Sequence, residues 1–157
     1  MDEQEMERVA RTYGPDLYRL AYARTGSHAD AQDVMQETLL RLVRSNPTFE
    51  SENHCKAWLL RVAANCVGDV FRSPWRHAQP LSESLPAPER PEEGGVLEAV
   101  LALPPRYRLP VHLFYYEGLS VAEIADILGK SESVVKTRLF RARGMLRLEL
   151  EGGDEHI

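Results

Sequence analysis

Apolar residues recur at helical spacing along most of the chain, and the sharpest case lies near its end. Val121, Ile124, Ala125 and Leu128 form one apolar stripe, and Ser120 with Glu123 three residues on is the capping-box pair that opens a helix. Gly129 closes it. The short turn Gly129-Lys130-Ser131 leads at once into a second helix, whose first turn Ser131 can cap and Glu132 complements in charge. There, Val135, Leu139, Ala142, Leu146 and Leu150 fall on one narrow face that must pack on the preceding helices. The opposite face has Ser133, Thr137 and Arg141 at its centre, Phe140 and Lys136 on one flank, and Arg138 and Arg143 further round. This pattern predicts a helix-turn-helix.

The same period runs through the first half of the chain. Residues 3–25 place Val9, Tyr13, Leu17, Leu20, Ala21 and Arg24 on one face, with a break predicted at Gly14-Pro15, where proline can open a fresh helix. Ala29 to Ser45 carries the stripe Ala31, Val34, Met35, Thr38, Leu39, Leu42 and Val43. Its other side sets Leu40 outward among Asp30, Asp33, Gln36, Glu37, Arg41 and Arg44. Such a side is either solvated surface or a docking face with an apolar centre and a charged rim. Asn46-Pro47 breaks this helix, and Thr48 to His54 reads as polar loop. Cys55 to Arg72 resumes the period with Leu59, Val62, Ala63, Cys66 and Val70 inward. Arg61, Asn65, Gly68 and Arg72 share its outward edge, which reads as a second nucleic-acid surface or as an ordinary polar helix face.

From Ser73 to Gly95 no apolar period survives, and five of the ten prolines lie between Pro74 and Pro91, which predicts a linker. About twenty extended residues reach roughly 65 Å. Beyond it come Val96 to Leu103, Pro104-Pro105 and a helix reaching Tyr116, in which Pro110 predicts either a kink or a helix start. The tail from Glu151 reads as polar and frayed. The expected fold is therefore all-α, with two small helical domains, residues 1–73 and 96–150. A flexible linker, 74–95, joins them, and a polar tail, 151–157, follows.

Composition narrows the function. With 157 residues, 43% hydrophobic and 27% charged, the chain has room for two modest cores of ordinary soluble make-up. No run approaches the roughly 18 apolar residues that span a bilayer, and the acidic start MDEQEMER is unlike a signal peptide. No membrane insertion and a cytoplasmic location are expected. Cys55 and Cys66 have no metal-ligand spacing, and Cys66 falls within an apolar stripe as a reduced core residue. The five histidines, His28, His54, His77, His112 and His156, are scattered without a paired base or nucleophile, and no glycine-rich phosphate loop is present. No catalytic residue, cofactor or metal is expected. The formal net charge is −5, yet Lys130 to Leu148 holds six basic residues against one acid. A basic face beside small hydroxyls on the second helix of such a pair suits a DNA major groove. A solvated cationic helix end has the same composition. Net acidity argues against a chain that coats DNA unaided.

Three stretches carry a family resemblance: DAQDVMQETLLRLVR (Asp30 to Arg44), KAWLLRVAAN (Lys56 to Asn65) and LPPRYRLPVHLFYYEGLSVAEIADILGKSESVVKTRLFRAR (Leu103 to Arg143). In order and across nearly the whole chain, they resemble the extracytoplasmic-function (ECF) sigma factors, promoter-specificity subunits of bacterial RNA polymerase. The resemblance implies a region-two domain that docks on the polymerase core through Asp33, Gln36, Glu37, Leu40 and Arg41 and melts the minus-ten element. It assigns Ser51, Glu52, Asn53, His54 and Asn65 to unpaired minus-ten bases, with Arg61, Arg72 and Arg76 as the adjoining basic positions. It implies a region-four domain that binds the minus-thirty-five element of promoter DNA through Ser133, Lys136, Thr137, Arg138, Phe140 and Arg141. An anti-sigma factor is a further partner implied by the family alone. The chain departs from the family pattern where Pro74 breaks the basic run after Arg72, leaving Trp75 and Arg76 to meet DNA, and where Pro110 enters a helix. A free-standing helix-turn-helix regulator shares the carboxyl-terminal features but leaves the Arg61 to Arg72 edge without a role.

Overall fold

The computed structural model describes residues 2–72 and 96–153, which build seven helices and one π-helical turn in two compact units. The predicted linker, with Pro74, Trp75 and Arg76, and the last four residues lie outside the described residues.

The first unit is a bundle of three mutually packed helices, α1 (Glu3–Thr25), α2 (His28–Ser45) and α3 (Glu52–Arg72). Side chains cap each start. Asp2 accepts the Glu5 amide at 2.8 Å, Ser27 the Asp30 amide at 3.1 Å, and Ser51 the His54 amide at 3.1 Å. Val9, Leu17, Leu20 and Ala21 of α1, Ala31, Val34 and Leu42 of α2, and Leu59, Leu60, Ala63 and Val67 of α3 form the core. Thr38 is buried with them, its hydroxyl 4.0 Å from the Cys66 sulfur.

Three predictions fail here, each for a physical reason. No break occurs at Gly14-Pro15, because α1 runs straight through. Proline clashes with the Cβ of the residue before it, and Gly14 has none. Val9 and Tyr13 before the proline and Leu17 and Leu20 after it are buried on one continuous face. Packing along that face outweighs the roughly 3 kcal/mol that an interior proline costs. Val43, expected inward, is 55% exposed, because the buried set Ala31, Val34, Thr38, Leu42 leaves it a further 100° round the helix. The polar stretch ending at His54 is not all loop either: α3 starts at Glu52, and the polarity of Ser51 and Glu52 is that of a cap and a first turn. The buried face of α3 is also rotated slightly from expectation, with Leu60 and Val67 buried and Val62 only half-buried.

The second unit contains α4 (Val96–Ala102), α5 (Pro105–Val111), the π-helical turn His112–Tyr116, α6 (Val121–Leu128) and α7 (Glu132–Gly153). Both α5 and α6 pack on α7. Pro105 occupies the first turn of α5, where its missing N–H costs nothing. Pro110 is interior and buried, and the expected kink takes the form of the wider turn that follows at once. Glu117 N–H donates to the His112 carbonyl at 3.1 Å, and Leu119 N–H to the Leu113 carbonyl at 3.0 Å. Arg108 donates to the carbonyls of Leu101 and Leu103, at 2.8 and 2.9 Å, and so closes α4 against α5. The helix α7 continues to Gly153, so the predicted tail is helical over its first three residues.

Because the Pro15 ring is exposed, Pro15→Ala restores one helix hydrogen bond without disturbing the core. It is expected to stabilise the chain by about 1–2 kcal/mol, read as a raised urea midpoint. A lowered midpoint would show that the ring itself contributes to packing.

Candidate functional site

The turn between α6 and α7 is built from local chemistry. Ser120 and Glu123 close the capping box, with Ser120 N–H donating to Glu123 Oε1 at 2.8 Å and Glu123 N–H to Ser120 Oγ at 3.1 Å. Gly129 adopts the left-handed conformation (φ 66°) that reverses the chain, a region in which side chains are strained. Ser131 then accepts the Val134 amide at 3.1 Å. Val135, Leu139 and Ala142 are buried, so the face opposite them is turned outward. Ser133, Lys136, Thr137, Phe140 and Arg141 are all exposed, and Phe140 is exposed by 74%. Arg138 is half-buried at the edge.

Arg143 of α7 has internal partners that the sequence does not announce. Arg143 Nε donates to the Tyr115 hydroxyl at 2.7 Å, and its guanidinium lies 5.7 Å from the Phe114 ring centre, which ties α7 to the π-helical turn. Tyr107 of α5 is buried to 2% exposure, and the Arg106 guanidinium lies 4.8 Å from its ring centre. The cations of Arg106, and then Arg141, hold this phenol below its usual range.

In the first unit the expected residues divide into separate groups. Glu52 accepts from the Tyr13 hydroxyl and from Arg8 Nη2 at 3.1 Å, pinning the start of α3 to α1. The Tyr13 phenol and the Arg8 guanidinium hold its carboxyl below the ordinary value, while burial and then Glu52 push Tyr13 up to about 12. His54 Nδ1 accepts the Glu50 amide at 3.1 Å, and its ring meets Phe49 edge-on; Phe49 in turn meets Trp58. Ser51 is occupied as a cap, and Asn53 is exposed. Arg61 and Asn65 are exposed on the outward edge of α3, with Gly68 half-buried. Thirteen residues separate Glu52 from Asn65, about 20 Å along one helix, so these groups do not form one compact pocket. The Arg72 side chain and all of Arg76 lie outside the described residues.

On α2, Asp33, Gln36 and Leu40 are exposed, Leu40 by 48%, and Val43 extends the apolar centre. Glu37 and Arg41 form a rim that is braced internally. Arg41 pairs with Glu37 at 3.1 Å and with Asp69 of α3 at 3.5 Å, and Arg44 lies 3.7 Å from Glu37. Partial desolvation, and then Asp30, raise the Asp33 carboxyl above its ordinary value. Burial pushes the thiols of Cys55 and Cys66 up, away from reactive thiolate. Among the described residues no cluster of His, Cys, Asp or Glu is arranged to hold a metal ion, and no helix is long and apolar enough to cross a membrane.

A helical bundle with an exposed apolar-centred face, and a second unit presenting a helix-turn-helix, define a two-module, all-α protein. The sigma-70 region 2 family model matches residues 9–77, and the sigma-70 region 4 model matches residues 94–146. The ECF RNA polymerase sigma factor SigL of Mycobacterium tuberculosis is 35% identical over 146 residues, covering 86% of this chain and 82% of SigL. The ECF RNA polymerase sigma factor BldN of Streptomyces coelicolor is 38% identical over 155 residues, 90% of this chain but 59% of BldN. The chain thus spans about three fifths of that longer relative. In fold it is similar to the sigma factor RpoE solved with the anti-sigma factor NepR from Bartonella quintana. The TM-score there is 0.74 at 23% identity, over 96% of this chain and 99% of that one. The chain belongs to the ECF RNA polymerase sigma factor family, and sigma factors are not enzymes.

The Glu52 anchor has a definite pH dependence. Its folded pKa lies below the ordinary 4.5, so its stabilisation is full above that value and is lost as pH falls through the lower folded value. Glu52→Gln is expected to lower the urea midpoint at pH 7, with the deficit closing as pH falls below 4.5. A deficit unchanged down to pH 3 would mean that the carboxylate charge plays no part.

Proposed function

We propose that this chain acts as a sigma subunit, bringing bacterial RNA polymerase core to promoters by recognising a duplex upstream element with α7 and assisting melting of the minus-ten element with α3. The observation that carries the reading is the outward face of α7: Ser133, Lys136, Thr137, Phe140 and Arg141 exposed together on the second helix of a capped helix-turn-helix. Arginine can bond guanine edges in the major groove, hydroxyls reach bases or phosphates, and an exposed aromatic offers apolar contact to a thymine methyl. The minus-ten assignment rests on Asn53, Arg61 and Asn65, exposed along α3, with His54 and Phe49 supplying aromatic faces to unpaired bases. Glu52 and Ser51, exposed at the start of the same helix, are already engaged, Glu52 by Tyr13 and Ser51 as the helix cap.

The polymerase contact is assigned to Asp33, Gln36, Leu40 and Val43 of α2, with the Glu37 and Arg41 pair as rim. The domain division at 1–73 and 96–150 and a flexible linker belong to the same proposal. So does an anti-sigma partner, which RpoE of Bartonella quintana has in its solved complex. Run-off transcription with purified core polymerase tests the whole reading: added chain is expected to produce discrete start sites, and its failure to do so on any fragment of a bacterial genomic library would reject it.

Two substitutions probe its parts. Leu40→Asp is expected to weaken core binding at least tenfold, about 1.4 kcal/mol or more, with an unchanged melting temperature. A collapsed melting temperature would assign Leu40 to the core instead. Arg141→Ala is expected to cost about 1–3 kcal/mol of duplex recognition and to relax preference at one base pair. Equal losses against every sequence would reduce Arg141 to a phosphate contact.

A further inference from the structure

Beside the α7 face, one surface cation is held in place by a neighbouring element. Arg143 is exposed, and its Nε donates at 2.7 Å to the hydroxyl of Tyr115, itself 54% exposed. The guanidinium also lies 5.7 Å from the Phe114 ring centre, and Phe114 meets Tyr115 edge-on at 4.9 Å, so the pair is braced on the π-helical turn. That bond uses the Nε–H alone, and among the described residues Nη1 and Nη2 have no hydrogen-bond partner. An arginine has no acceptor, so the hydrogen of the Tyr115 hydroxyl cannot return to it and is directed elsewhere. A guanidinium and a phenolic O–H are thereby set side by side at the surface with donors unspent. Along α7, Arg143 follows Lys136 by seven residues, two turns or about 10.5 Å, on the flank that also carries Phe140.

We infer that Tyr115 and Arg143 form an anion site that grips one phosphodiester of the upstream duplex, at the wall of the groove that α7 enters. This deepens the assignment of the α7 face and rests on it. The phosphate oxygens accept from the terminal nitrogens of Arg143 and from the Tyr115 hydroxyl, a charge-assisted contact of two prongs that a lone lysine cannot make. Because Nε is already tied, the fork is aimed before DNA arrives and loses fewer rotamers on binding. A phosphate contact carries no sequence information, so the pair fixes the register in which Thr137 and Arg141 meet the bases. An acidic side chain of the polymerase would satisfy the same donors, but the flank shared with Lys136 and Phe140 sets the pair beside DNA.

The test measures binding of the full chain, assembled with core polymerase, to the upstream duplex it selects, with a single uncharged methylphosphonate placed at successive phosphates. One such position is expected to cost about tenfold in affinity. Arg143→Gln is expected to abolish the sensitivity at that phosphate and to reduce the salt slope by about one, equally for every duplex sequence. Tyr115→Phe keeps the exposed ring and removes only the oxygen. It is expected to lower affinity about threefold, and to change nothing further in the Arg143→Gln background. Arg143→Lys keeps the charge without the fork, and is expected to retain the salt slope while losing the dependence on Tyr115. If every methylphosphonate keeps its effect in Arg143→Gln, or the slope is unchanged, the site is overturned. If Tyr115→Phe acts equally in both backgrounds, its part in the site is overturned. If Arg143→Gln weakens assembly with core polymerase in the absence of DNA, the anion is a polymerase carboxylate and the phosphate assignment is overturned. If Arg141→Ala leaves duplex recognition unchanged, the assignment of the α7 face has failed first.

Discussion

The burial of a single ridge of α7 is the constraint on which the second unit depends. Val135, Leu139 and Ala142 are packed out of solvent against the helices before them. Burying a valine or leucine side chain is worth about 1.5–3 kcal/mol, so turning the helix by even one residue, 100°, would forfeit several times the value of any surface contact. The core therefore decides which residues face outward, and Ser133, Thr137 and Arg141 are presented by subtraction. The capping box and the left-handed Gly129 set where the helix begins and the direction in which it leaves, while Arg143 on Tyr115 braces it further along. Recognition chemistry placed on such an element needs no ordering of its own backbone when DNA arrives.

The first unit solves the same problem with three helices. Here α2 buries a narrow stripe, narrower than its apolar content, and the surplus, Leu40 and Val43, lies outside. Two exposed aliphatic side chains one turn apart cost little in isolation, but ringed by Asp33, Gln36, Glu37 and Arg44 they form the apolar centre of a patch whose rim is already ordered by ion pairs. Exposed pairs of this kind add little to stability. Their consequence is geometric, because Arg41 held between Glu37 and Asp69 links the rim of α2 to α3. The patch is consequently carried by two helices at once.

How much of this is legible in the sequence follows from the range of each interaction. The capping box, the Gly129 turn and the buried ridge of α7 involve residues within a few positions of one another, and the reading of the chain recovers them along with the two-unit helical fold. The outward position of Leu40 is legible for the same reason. Pro15 misleads because the force that keeps α1 continuous comes from α2 and α3, not from α1. Ser51 and Glu52 read as loop because their polarity is the same whether it faces water or caps a helix; the distinguishing partners, Tyr13 and Arg8, lie some forty residues away. The Arg143 to Tyr115 bond joins α7 to the π-helical turn 28 positions earlier, beyond the reach of any periodicity along one helix. Pattern finds faces, and only packing shows which polar atoms on them are already engaged.

Charge ties the two levels together. A chain of net charge −5 that places six basic residues between Lys130 and Leu148 gathers its positive charge against the trend of the whole. Phosphate neutralisation is the sequence-independent part of DNA affinity, so a small basic face on an acidic chain keeps that part low and leaves base contacts a larger share of the discrimination. Under the proposed function, weak unaided binding is what this charge arrangement predicts rather than a defect in the face. On the same proposal, affinity is recovered when a second attachment, such as the apolar-centred face of α2 on a polymerase, turns duplex binding into an intramolecular step at high effective concentration. On the proposed reading, a chain with two modest faces acts where both are engaged, which is the selectivity that promoter recognition would require.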